Sequence, residues 1–269
     1  MSRPDQVRTA RGWLLLSALI HVLALALVAL PSHRWALAFA LVLANHLLLT
    51  IAGLWPRSGL LGPNHTRLAP HAHAAGAIAL TIDDGPDPAV TPQVLELLAR
   101  SGAKATFFCI GERVAAHAAL ALEILRQGHL IENHTQHHRL NFSLLGPRAI
   151  RREIAQAQAA IGANAGTRPR YFRAPAGLRN LFLQPVLAGE NLELVSWTRR
   201  GFDSVARNPA AVLARLTRKL RAGDILLLHD GHAALGADGV PIILTVLPAL
   251  LARIEAAGLR TVTLAGALD

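Results

Sequence analysis

An α/β domain on a parallel sheet, preceded by two membrane-spanning helices, is the architecture this sequence predicts. Three observations carry that expectation. Beyond residue 76, short apolar runs alternate with amphipathic stretches of helix length, the pattern of strands joined by crossover helices. Before residue 56, two long stretches carry no formal charge. And of 269 residues, 52% are apolar and only 16% charged, against roughly 25% charged in an average soluble protein. That balance excludes a disordered chain and places part of the molecule out of water.

The uncharged stretches, residues 12–30 and 35–55, each match the roughly 20 apolar residues that cross a bilayer as a helix. Trp13 opens the first, and Trp35 and Trp55 bracket the second, where indole rings mark the headgroup level. No clear small-x-small cleavage site precedes Pro31, so the first stretch reads as a span and not as a cleaved signal. A link at 31–34 makes a tight hairpin, with residues 1–55 as the membrane unit. His21 and His46 fall inside the spans and are expected to pack, neutral, between them. Arg3, Arg8 and Arg11 precede the hairpin, and Arg57 and Arg67 follow it, while its loop holds only Arg34 and a neutral His33. The positive-inside bias thus places both termini and the large domain on the cytoplasmic side, by a margin of a few arginines.

Residues 56–75 are rich in proline, glycine and histidine without periodicity and read as a linker. His71 and His73 within it are too few for a closed metal site. The main domain then spans 76–269. Its strands are expected at 77–82, 104–110, 129–133, 170–173, 192–197, 224–228 and 259–264. Helices are expected near 91–101, 112–127, 147–161, 180–189, 208–221 and 241–257. Pro92 and Pro209 suit first turns, and Gly102, Gly128, Gly223 and Gly258 sit where helices should stop. The alternation fits an open doubly wound sheet or a small incomplete barrel, and either places its chemistry at the carboxyl ends of the strands.

Five groups of reactive residues fall at those ends. The first strand runs into Asp83-Asp84-Gly85-Pro86, two carboxylates whose turn can aim both at one site. The third ends in Asn133-His134-Thr135-Gln136-His137-His138. His134 and His138 lie four apart, so one helical turn would put both imidazoles on one face, with His137 pointing elsewhere. Two histidines and one carboxylate leave coordination positions open, the arrangement of a catalytic metal. The fourth strand delivers Arg173-Ala174-Pro175-Ala176-Gly177, a guanidinium able to keep a carboxylate ionised. Trp197 and Asp203 follow the fifth. The sixth closes on Leu227-Leu228-His229-Asp230, with His229 placed as a general acid near neutral pH.

Taken in order, these residues resemble the five motifs of the NodB-homology polysaccharide deacetylases, carbohydrate esterase family four, across about residues 76–264. The resemblance implies a distorted, incomplete (β/α)7 barrel and metal-dependent removal of N-acetyl or related N-acyl groups from amino sugars. By position it implies Asp83 as catalytic base and Asp84, His134 and His138 as ligands of one divalent ion. Zinc is the first expectation, with cobalt or another borderline ion as alternatives. It further implies Thr135 beside those ligands and Arg173 in the arginine motif. The Ala176 N–H would stabilise the oxyanion, Leu227 and His229 would form the last motif, and Asp203 would position His229. Two positions depart from the pattern: Arg200 replaces the fourth motif's first aspartate, and Ser204 its tryptophan. The acetyl-binding wall formed with Trp197 is therefore altered.

The partner expected is an N-acetylated amino-sugar glycan of the bacterial envelope, lipid-linked if the domain is cytoplasmic, with the protein multi-pass in the inner membrane. The alternative is a catalytically inactive, membrane-anchored glycan-binding protein on the same fold. The net charge of +10, from 27 basic and 17 acidic residues, also suits membrane lipid. A basic stripe at Arg215, Arg218, Lys219 and Arg221 reads as a solvated face before it reads as a lipid contact. Nucleic acid is not expected, since no recognition module or aromatic platform accompanies the charge. The single cysteine, Cys109, excludes an internal disulfide and a multi-thiolate zinc site.

Overall fold

A computed structural model describes residues 3–30 and 34–268. The expected link, apart from Arg34, lies outside the described residues, as do the side chains of Arg3, Arg8 and Arg11. Helices α1 (Arg3–Ala29) and α2 (Trp35–Leu54) pair side by side, and each is long and apolar enough to cross a bilayer. Their few polar groups meet each other. Asn45 donates to Ser17 Oγ at 2.9 Å, and His21 Nε2 lies 3.3 Å from His46 Nε2. Leu15, Leu19, Leu25, Phe39 and Trp55 remain exposed on the outside of the pair.

Residues 56–75, expected as a linker, lie pinned to the domain. The His65 N–H donates to Leu194 C=O, Arg67 pairs with Asp224 at 2.8 Å, and helix α3 (Pro70–Ala74) buries Ala72. His71 and His73 are engaged separately, His71 with Gly266 C=O and His73 with Arg67.

The domain alternates β1 (Ala77–Asp83), α4 (Thr91–Arg100), β2 (Thr106–Cys109), α5 (Gly111–Ala116), α6 (Ala118–Arg126), β3 (Leu130–Asn133), α7 (Pro147–Ala165) and β4 (Tyr171–Phe172). It continues through α8 (Leu183–Glu190), β5 (Glu193–Leu194), β6 (Arg199–Arg200), α9 (Pro209–Thr217), β7 (Ile225–His229), α10 (Ile242–Ala256) and β8 (Arg260–Val262). All ladders between these strands are parallel, in the order β5-β4-β3-β2-β1-β7-β6, with β8 beside the start of β1. The two edge strands, β5 and β6, are halves of one segment, 193–200, so the sheet curls round until that segment bridges its edges. The result is the curled, incomplete barrel that the resemblance implied.

Two elements differ from expectation. The stretch 112–127 is broken at His117, whose φ of −129° and ψ of 49° are not helical. The start of α5 is committed elsewhere: Gly111 and Glu112 N–H donate to Thr135 and Gln136 C=O. That fixes its direction, and the chain must bend before α6 can cover the sheet. Strand β6 carries Arg199 and Arg200, a pair whose charge hid it from an apolar-run criterion.

Candidate active site

Side chains on a strand alternate between faces, and that parity decides what enters the barrel. Ile78, Leu80 and Ile82 of β1, with Leu226 and Leu228 of β7, pack outward into the core that α4, α9 and α10 cover. Ala77 and Ala79, with Ile225 and Leu227, line the inner cluster together with Phe108, Tyr171 and Trp197. Asp83 and His229 share the inner parity and are Cα partners in the β1–β7 ladder. Two apolar strands thus deliver a carboxyl group and an imidazole side by side, both less than a tenth exposed.

Asp84 follows the strand at φ 78°, in the left-handed region that non-glycine residues rarely adopt. Thr135, His138 and Ala176 are also left-handed, so four such residues cluster round the site. Their surroundings hold them there. A Cβ on Gly231 would lie 2.3 Å from the Asp84 carbonyl oxygen, and one on Gly85 2.4 Å from the Asp230 carboxylate. Only glycine permits both approaches.

Asp84 Oδ1 lies 3.2 Å from His134 Nε2 and 3.2 Å from His138 Nε2. The two histidines do not reach it by a helical turn, as the spacing suggested. Residues 134–138 form a loop in which the Thr135 N–H donates to Asn133 Oδ1 and the His138 N–H to Thr135 Oγ1. His134 Nδ1–H donates to Arg173 C=O at 2.8 Å, which leaves Nε2 free to turn inward. His137 faces away and, with Arg139, binds the buried Glu153. Thr135 is fully buried, and its hydroxyl shapes the histidine loop.

The sequence reading missed His232. Its Nδ1 lies 3.0 Å from Asp84 Oδ2, and Asp84, His138 and His232 offer ligand atoms within 4.8 Å of one another. His134 is the better member of a metal site than His232, because it is buried and oriented by Arg173 whereas His232 is half exposed. Asp84 Oδ1 is buried yet accepts no well-formed hydrogen bond, although two Nε2 atoms approach it. A carboxylate and two oriented imidazoles turned on one point fit a divalent cation. Burial opposes charge on Asp84, but the contacts of His134 and His232 outweigh it and hold the carboxyl well below its usual range. Burial and the neighbouring His134 push His138 down to about 4, so it is neutral and able to ligate at neutral pH.

Arg173 is fully buried and packs over the Phe108 ring at 4.0 Å. It donates to Asp83 Oδ1 at 2.6 Å and to Thr81 Oγ1 at 2.8 Å, so it stands behind Asp83 and does not line the cleft. Asp203 does the same for His229, accepting from its Nδ1 at 2.9 Å and from its backbone N–H at 2.7 Å. Burial lowers the His229 pKa, but the Asp203 bond and charge outweigh it and leave the imidazole above its ordinary value. Asp230 faces β1 from the other side and accepts from Thr91 Oγ1; burial pushes its carboxyl up to about 7.

These groups open onto a cleft of about 340 Å³. Asp83, Asp84, His134, His138 and His229 form its polar end, while Ala176, Trp197, Leu227 and Leu140 form its apolar wall. Arg200 and Ser204, the two departures noted in the sequence, line it as well. The arrangement can bind a cation and present a carboxyl group and an imidazole across a small apolar slot.

A family profile described as polysaccharide deacetylase matches residues 71–189. The peptidoglycan-N-acetylglucosamine deacetylase of Bacillus cereus is 35% identical over 188 residues, covering 69% of this chain and 85% of that protein. Among solved structures, a family 4 carbohydrate esterase from Streptomyces lividans in complex with acetate aligns with a TM-score of 0.62 and 28% identity, over 69% of this chain and 91% of its own. A family 4 pseudoenzyme from Bacillus anthracis shares the fold, with a TM-score of 0.67 at 23% identity over 77% of this chain and 69% of its own. Barrel, cleft and sequence agree, and the chain belongs to the polysaccharide deacetylase family, carbohydrate esterase family four.

Proposed function

We propose that this protein hydrolyses the N-acetyl amide of an amino sugar in a bacterial envelope glycan, using one divalent ion. Asp84, His134 and His138 would hold that ion, with zinc the best match to a carboxylate and two imidazoles. Such an ion supplies Lewis acidity to a scissile carbonyl and acidifies water.

The remaining chemistry belongs to the chain itself. Asp83, bonded to Arg173 at 2.6 Å, takes the proton of the attacking water. The Ala176 N–H, presented at the cleft by a left-handed backbone, donates to the developing oxyanion. His229 has its Nδ1–H committed to Asp203, so Nε2 is the atom that delivers a proton to the departing amine. Trp197 and Leu227 form the slot for the acyl methyl group and exclude water from it.

The observation that carries this reading is the pairing of Asp83 with His229 across one ladder rung, beside the Asp84 cluster. The retained base and acid also weigh against a purely glycan-binding role. The exposed apolar faces of α1 and α2 support a multi-pass anchor in the inner membrane and a lipid-linked form of the glycan as substrate. Two variants test the assignment. Asp83→Asn should keep its bound metal through dialysis yet lose turnover by at least about 100-fold, whereas His134→Ala should lose both metal and turnover. Full activity in either variant on an N-acetylglucosamine oligomer contradicts the reading.

A further inference from the structure

A second cavity, of about 570 Å³, opens beside the cleft. Its walls are the foot of α2 (Trp55, Pro56 and Arg57), residues 197–200, Phe202, and Arg215 and Arg218 at the end of α9. Trp197 and Arg200 line both cavities, so the two adjoin. Five arginines line this space and no acidic residue does.

Among them, only Arg199 has a carboxylate partner, Asp224, which also pairs with Arg67. Among the described residues, no ion pair joins Arg57, Arg200, Arg215 or Arg218 to a carboxylate. Arg57 and Arg215 reach only the backbone carbonyls of Thr198 and Gly201. Arg200 lies near two rings, its Cζ 5.4 Å from the Trp197 centroid and 5.0 Å from that of Phe202, and its buried Nε has no hydrogen-bond partner. Phe202 also carries Arg215, at 6.0 Å. Contact with the rings steadies the guanidinium groups of Arg200 and Arg215 at the cavity. Gathering four uncompensated cations costs energy unless an anion lies among them. Planar donor forks suit the several acceptor oxygens of a phosphate.

We propose that this cavity binds the phosphate of a glycosyl phosphate substrate, an N-acetylated amino sugar joined through phosphate to an apolar carrier. The inference rests on the deacetylase reading, because the acetamido group must occupy the adjoining cleft while Arg200 bridges to the phosphate. Position supports a membrane-borne carrier. The cavity lies at Trp55, where the exposed apolar face of α2 ends, so a carrier chain could follow that helix into the bilayer.

The test is acetate release by the full-length protein in neutral detergent. N-acetylglucosamine 1-phosphate is compared with an uncharged N-acetylglucosamine oligomer. The phosphorylated sugar should show a kcat/KM about tenfold higher, carried by KM and eroded by salt. Arg200→Gln and, separately, the exposed Arg218→Gln should each reduce that preference to about threefold or less. Arg168→Gln, on an exposed loop, should leave it unchanged. Equal kcat/KM for the two substrates, with acetate released from both, overturns the phosphate subsite and leaves the deacetylase reading standing. So does a preference that survives both variants. Vesicles of phosphatidylglycerol that abolish the preference would assign the arginines to bulk lipid headgroups and likewise overturn it; a preference that persists in their presence supports it. No acetate from either substrate overturns the deacetylase reading and this inference together.

Discussion

Asp84 meets His134 and His138 at 3.2 Å because β1 and β3 end on the same rim, and left-handed residues turn each chain inward there. The residue types and the rim were legible in the sequence; the turns were not. Spacing suggested a helical turn for the histidines, whereas the Thr135 hydroxyl and the Asn133 carboxamide build a loop instead. His232 was invisible for a related reason. It approaches Asp84 only because Gly231 lets the chain pass against the Asp84 carbonyl, and no periodicity reports such a contact. The Asp203–His229 pair predicts a pH effect. Asp203 raises the imidazole above its ordinary value, with the Asp83 and Asp84 charges acting the same way. The acid form therefore survives to higher pH than in an isolated histidine. Asp203→Asn removes the largest favourable contribution, so the alkaline limb of the kcat/KM profile should move to lower pH. A limb that stays in place would show that another group is the acid.

Element by element, the apolar β1 and β7 and the proline-led helices α4 and α9 were the easiest to read, because burial pattern and first-turn proline agree there. β6 and the break at His117 were not, since tertiary hydrogen bonds set them against the local pattern. β3 carries a testable feature. Glu132 is buried, and one of its oxygens accepts the Arg170 and Tyr171 N–H groups at 2.8 and 2.7 Å, joining β3 to the start of β4. Burial pushes its pKa from 4.5 up to about 8, against the pull of those bonds. Between these values the folded protein keeps a proton that the unfolded chain has released, so this group's contribution to stability falls as pH rises across that window. Glu132→Gln keeps the acceptor oxygen and cannot ionise. Thermal unfolding should show the variant gaining on the wild type by several degrees between pH 5 and pH 9, about what a change of one kcal/mol or more does to Tm. Parallel pH curves for the two proteins would contradict the placement of Glu132.

At the scale of the molecule, hairpin and barrel are joined firmly. The Arg179 N–H donates to Gly53 C=O at 3.1 Å, its guanidinium reaches Ser58 C=O, and Leu61 packs with Leu49 and Ala52. Proline, glycine and histidine made residues 56–75 look like a flexible tether, because composition does not reveal the hydrogen bonds to the barrel edge. The arginine distribution predicts a cytoplasmic domain. A C-terminal fusion to a reporter active only in the cytoplasm should therefore be active, and activity only from an exported reporter would reverse the topology. The most direct measurement of the central account is acetate release from an N-acetylglucosamine oligomer by the purified full-length protein, before and after chelation. The account predicts release that stops with the chelator, returns with added zinc or cobalt, and stays absent in Asp84→Asn under both conditions. Release that ignores the chelator, or an Asp84→Asn protein that matches the wild type, would contradict it.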